Sequence, residues 1–105
     1  MININCLGSG EGLRIGNGEG CPDLYRAVQD LNEAFTHFTL PPSGRGRGAD
    51  AEPFSAVGIP TFSVATAGGY AHLHHIGDTP ETLNPPLFEK AARLAFLTLW
   101  EMANH

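Results

Sequence analysis

At 105 residues the chain has room for one modest core, because a polypeptide of this size withdraws only about two thirds of its unfolded surface from water on folding. A composition of 42% hydrophobic and 16% charged residues is that of an ordinary globular protein, and 13 Gly with 8 Pro call for many turns rather than disorder. The net charge of -5, with only six Lys and Arg, argues against a nucleic-acid partner, and the Arg pair in "SGRGRGAD" is too short to reverse that.

No run of about 18 apolar residues is present, and "MININCLGSG" has neither the basic flank nor the apolar stretch of a signal peptide. The sequence therefore reads as soluble, with no membrane partner, and leaves the compartment open. Cys6 and Cys21 are too few for a disulfide framework.

In chain order, "ININCL" alternates Ile2, Ile4 and Cys6 with Asn3 and Asn5, a period of two that predicts a buried strand with Asn on one face. "GSGEGLRIGNGEG" sets six glycines around Leu13, Arg14 and Ile15, enough for one short strand between turns. Neither G-x-G-x-x-G nor G-x-x-x-x-G-K-[ST] can be laid onto it, so phosphate binding is not expected.

From Pro22 the pattern turns helical. Leu24, Val28, Leu31, Phe35 and Phe38 follow spacings of four, three, four and three and predict one stripe facing a core. Pro22 suits a first turn, and Asp23 suits the positive end of the helix dipole. His37, near the end of this helix, needs no more than a dipole interaction to explain it. "PPSGRGRG" reads as an exposed loop, "AEPFSAVG" as a short helix, and "IPTFSVAT" as a buried strand.

The stretch "AHLHHIGDTPETLN" holds His72, His74 and His75 ahead of an acidic turn. Zinc takes three or four His, Cys, Asp or Glu ligands from more than one element, so adjacent histidines alone do not make a site; solvated loop histidines or a cap on Asp78 are the competing readings. Asp78 and Glu81 bracket Pro80 as a capping box, predicting a helical turn at "TPETL". A last helix opens at Pro86. Apolar residues on much of its circumference, from Leu87 to Met102, predict that it is largely buried, with Trp100 in packing. The order gives an α/β fold, a sheet covered by helices, in a single domain over residues 1–105 without internal repeat or linker.

"GADAEPFSAVGIPTFSVATAG", then "LHHIGDTPETLN" and an apolar terminal helix, resembles the C-terminal half of the co-catalytic di-zinc aminopeptidases, a zinc exopeptidase family related to glutamate carboxypeptidase and glutaminyl cyclase. The resemblance spans nearly the whole chain but about half of that family's catalytic domain. It implies a partial exopeptidase-like layer whose N-terminal half is missing. In the family, Ser-Asp-His-x-Pro-Phe leads to a Gly-Ile-Pro strand start, then to Tyr-His-Thr-x-x-Asp-Thr.

Carried over by residue, the resemblance makes His74 a zinc ligand and Asp50 and Phe54 parts of the substrate pocket. Leu73 and His75 stand where Tyr and Thr are usual, and Ala49 and Ala51 where Ser and His are common. Asn3-Ile4-Asn5-Cys6-Leu7-Gly8 resembles Asn-Leu-Asp-Met-x-Gly, so Asn5 occupies the position of a metal-binding Asp. An amide oxygen is neutral and a weaker zinc donor than a carboxylate, which implies a weakened site.

The family's remaining ligands come from a segment upstream of this strand: a His, a bridging Asp and a Glu-Glu pair whose first member is the general base. In the complete site two zinc ions activate a bridging water, one ion polarises the scissile carbonyl, and the glutamate carries the proton to the leaving amine. The expectation is the C-terminal part of a zinc-dependent aminopeptidase-like hydrolase acting on peptides, with no catalytic residue in this chain and no activity alone. Glu11, Glu19 and Glu52 match no catalytic position. The alternatives are a non-catalytic interaction domain of the same ancestry and a glutaminyl cyclase-like enzyme. An uncovered strand edge predicts a homo-oligomer, with strand exchange one route to it.

Overall fold

A computed structural model of the chain describes residues 1–4, 7, 10, 12–16, 20–38, 50–67 and 75–104. Their architecture is mixed α/β. Three strands, β1 (Ile2–Ile4), β2 (Gly12–Gly16) and β3 (Phe62–Ala67), form a sheet in the order β1-β3-β2. β1 runs parallel to β3, with Ile2 opposite Phe62 and Ile4 opposite Val64. β2 runs antiparallel, with Leu13 opposite Thr66 and Ile15 opposite Val64. The Met1 ammonium donates to the Pro60 carbonyl at 2.8 Å, and Phe62 N–H donates to the Met1 carbonyl at 3.2 Å, so pairing begins at the first residue.

Opposed residues in a sheet share a face, and alternation therefore groups Leu13, Ile15, Phe62 and Val64 on one side. Helices α1 (Pro22–Leu31) and α3 (Pro85–Ala103) cover that side. Leu24 and Val28 of α1 and Ala91 and Leu94 of α3 complete the core, with Ile2, Leu31 and Phe38 packed at its margin. β1 departs from its simple reading. Asn3, on the opposite face, is buried, whereas Ile4 is 50% exposed because β1 is an edge strand at the margin of the helical layer.

α1 begins with Pro22 in its first turn and carries Asp23 there, as the sequence predicts. It does not continue regularly to Phe38. A π turn, Asn32–Thr36, follows, and His37 closes it in the left-handed region at φ 57, ψ 37. A π turn holds more residues than an α turn, so the phase of the buried stripe slips. Asn32 and Thr36 enter the interior, and Phe35, expected in the core, is 55% exposed.

The polar pair is satisfied within the turn. Asn32 Oδ1 accepts from the Thr36 hydroxyl at 2.7 Å and from Phe38 N–H at 2.8 Å, while its Nδ2 donates to the Phe38 carbonyl at 2.7 Å. His37 N–H donates to the Asn32 carbonyl at 2.6 Å. Thus Asn32 ties off the helix end, and His37 takes the left-handed conformation that closes it.

α2 (Glu52–Ala56) ends in a Schellman motif: Ile59 N–H donates to Phe54 C=O at 3.1 Å and Gly58 N–H to Ser55 C=O at 3.0 Å. Gly58 takes φ 82, which a residue without Cβ adopts freely. The motif turns the chain through Ile59 and Pro60 into β3.

α3 starts at Pro85, one residue before the sequence places it, because Asn84 is its N-cap and accepts from Leu87 N–H at 3.4 Å. The Asn84 amide also donates to the Gly10 carbonyl at 3.1 Å, tying the helix start to the segment before β2. The expectation that α3 is largely buried is corrected. Leu87, Ala91, Leu94, Ala95 and Thr98 face the sheet, but Phe88, Phe96, Leu99, Trp100 and Met102 remain exposed. A single sheet layer contacts only one side of a helix, and no described element lies over the other. Among the described residues, no helix is long and apolar enough to cross a membrane.

Candidate functional site

β1 and β3 are parallel, so the chain leaves both at the same end of the sheet. In α/β sheets this carboxyl end is where ligands are commonly met. Asn5 directly follows β1, and the histidine segment follows β3 in sequence. Asn5 and His74 themselves lie outside the described residues, as do Cys6 and His72.

The described part of the segment begins at His75, which is exposed. Gly77 N–H donates to His75 Nδ1 at 3.0 Å, and Asp78 N–H donates to the His75 carbonyl at 3.0 Å. Both bonds close the local turn around His75.

The turn that follows corrects the expected Asp78–Glu81 capping box. The 3₁₀ turn Pro80–Thr82 has Thr79 at its N-cap, in extended conformation, and the Thr82 hydroxyl donates to the Thr79 carbonyl at 2.7 Å. The Pro after Thr79 sets this register, since a residue preceding proline is held extended and cannot be the first helical one. A hydrogen bond from its own backbone N–H and a second from the Thr79 hydroxyl hold the Glu81 carboxyl below its usual pKa. Thr79 and Glu81 are thus the pair that braces this turn.

Asp50 and Phe54 belong to one local unit. Asp50 is exposed in the turn before α2, buried Ala51 is the N-cap, and Phe54 sits in α2 with its ring partly open to solvent. The Schellman motif accepts at the Phe54 carbonyl, which fixes this residue against the entry to β3. Asp50 and Phe54 are therefore presented to solvent rather than used in the core.

Clefts lie elsewhere among the described residues. One of about 430 Å³ opens between the first turn of α1, at Cys21 and Leu24, and the Ile59–Pro60 segment, with Met102 beside it. A second, of about 330 Å³, lies where His37, Asn84 and Lys90 meet. Neither includes Asp50, Phe54 or His75. Neither was marked in the sequence, because each is formed by helix ends far apart in the chain.

Among the described residues, no three His, Cys, Asp or Glu side chains come together as a metal centre. Comparison with family models, with curated proteins and with solved structures finds no match for this chain.

Proposed function

We propose that this chain is the C-terminal part of a zinc-dependent, aminopeptidase-like hydrolase that removes N-terminal residues from peptides, with the corresponding portion of an exopeptidase-like sheet and no peptidase activity of its own. The observation that carries this reading is the parallel pairing of β1 with β3. It directs the segments that bear Asn5 and His74 away from the same end of the sheet. The sequence blocks around Asp50, Phe54 and His74 supply the family resemblance, and the solvent-facing positions of Asp50 and Phe54 agree with a substrate-side wall.

In this reading the chain contributes one imidazole donor, His74, and an amide at position 5 where a carboxylate is the stronger zinc ligand. His75, engaged with Gly77 N–H, supports the turn. The general base and the remaining ligands belong to a complementary segment carrying a His-x-Asp and a Glu-Glu pair.

The test is hydrolysis of an aminoacyl p-nitroanilide. The purified 105-residue chain is expected to give no release of nitroaniline with or without added zinc. The polypeptide encoded in frame through Met1 is expected to give release that a chelator abolishes. Zinc-dependent turnover by the 105-residue chain, or an in-frame coding sequence lacking both donor motifs, would overturn the proposal. Cyclisation of an N-terminal Gln peptide in place of anilide hydrolysis would replace it with glutaminyl cyclase chemistry.

A further inference from the structure

The cleft between the π turn and the start of α3 holds the single lysine of the chain. Of about 330 Å³, it is lined by Gly12, His37, Phe38, Asn84, Leu87 and Lys90 among others, and by no carboxylate. Its place follows from the strand register. β2 runs antiparallel to β3, and Gly12 pairs with Ala67, the last residue of β3. The Gly12 wall therefore lies at the end of the sheet where the chain leaves β1 and β3, the end at which α/β sheets commonly meet ligands.

Both cationic side chains stand on fixed backbone. The Asn32 carbonyl accepts from His37 N–H, and the Asn32 side chain bonds both backbone groups of Phe38. Lys90 is in the second turn of α3, whose start Asn84 ties to Gly10. The helix gives Lys90 no acid to pair with: Pro86, Leu87, Arg93 and Leu94 occupy the positions three and four residues away, and Glu89 is bonded to Arg93. Neither the His37 imidazole nor the Lys90 ammonium bonds another described residue. The helix end itself has little to offer an anion, since Pro85 and Pro86 lack N–H groups and those of Leu87 and Phe88 donate to Asn84. Recognition falls to the side chains.

We infer that this cleft binds a small molecule bearing a phosphate or carboxylate group, with the oxyanion between the Lys90 ammonium and the His37 imidazole and the remainder against Phe38 and Leu87. An ammonium donates three hydrogen bonds, and an imidazole donates at least one in either protonation state. The net charge of -5 gives the chain no general attraction for anions, so capture depends on these local donors. None of these residues enters the hydrolase reading, and either can fail without the other.

Because Lys90 is the only lysine, isotope labelling at lysine Cε gives one NMR signal, and it comes from the cleft. The 105-residue chain is titrated at constant ionic strength with phenyl phosphate, with phenylacetate and with sodium chloride. One or both organic anions are expected to shift the signal to saturation, and which of them does so identifies phosphate or carboxylate as the group bound. Chloride is expected to leave it in place. His37→Asn keeps a residue that tolerates the left-handed region and is expected to weaken binding about tenfold, with an unchanged far-ultraviolet circular dichroism spectrum. Should that variant lose its fold, Lys90→Gln, at an exposed position, is expected to weaken binding by about tenfold or more in isothermal titration calorimetry. Arg26→Gln, exposed on α1 outside the cleft, is expected to bind as wild type.

Absence of any shift would overturn the inference. So would a shift that grows without saturating and is matched by chloride, which is screening of a solvated ammonium. Saturable binding of undiminished strength in both His37→Asn and Lys90→Gln would also overturn it and place the anion elsewhere on the chain.

Discussion

Asn32 shows how one polar side chain decides where a hydrophobic stripe ends. Its amide makes three hydrogen bonds within the turn, two of them to the backbone of Phe38. Removing a partner from a buried polar group costs about 1–3 kcal/mol. Asn32→Leu is therefore expected to lower stability by about that much in urea unfolding. Asn32→Asp keeps both acceptor bonds and loses the donor to the Phe38 carbonyl, so it should fall between wild type and Asn32→Leu. Equal stability of all three would show that the amide does not close the helix. Glu81 provides a second, pH-dependent case. Its folded pKa is lowered, so the bracing of the 3₁₀ turn is complete above the ordinary glutamate pKa and is lost as pH falls through the lowered value. Carboxyl NMR titration is expected to find that lowered pKa in wild type and a return toward normal in Thr79→Ala. An identical titration in the two proteins would remove the hydroxyl as a cause.

Elements rather than single residues were the part most legible in the sequence. The alternation of Ile2 and Ile4 with Asn located β1, the glycines around Leu13–Ile15 located β2, and the Leu24–Val28 repeat located α1; of these, Leu13, Ile15, Leu24 and Val28 do face the core. What was hidden has a physical reason in each case. Nothing in "LNEAFTHF" announces a π turn, since its stabilising bonds come from Asn32, which sequence periodicity counts as polar and therefore outward. The apolar content of α3 was visible, but composition does not say how many layers will cover a helix. The candidate site rests on blocks of sequence around Asp50, Phe54 and His74, to which the described structure adds the common end at which the chain leaves β1 and β3. At this scale the Schellman motif of α2 bears directly on the site, because it sets the path from Phe54 into β3. Gly58→Ala is expected to cost about 1 kcal/mol in thermal unfolding, from backbone strain alone, as a Cβ there meets no atom within 4 Å. A neutral substitution would mean that the turn adopts another conformation at no cost.

At the scale of the whole molecule, the described residues form one sheet layer whose single covered face packs against α1 and α3. The same economy of elements places a heavy demand on β1. Its partner in the sheet, β3, lies sixty positions further along, from Ile2 to Phe62. On the ribosome, where synthesis proceeds at about 5–20 residues per second, β1 therefore waits roughly 3–12 seconds for the strand it must pair with. During that interval the edge of β1 that β3 will occupy has no partner among the described strands, which makes it an entry point for misassembly.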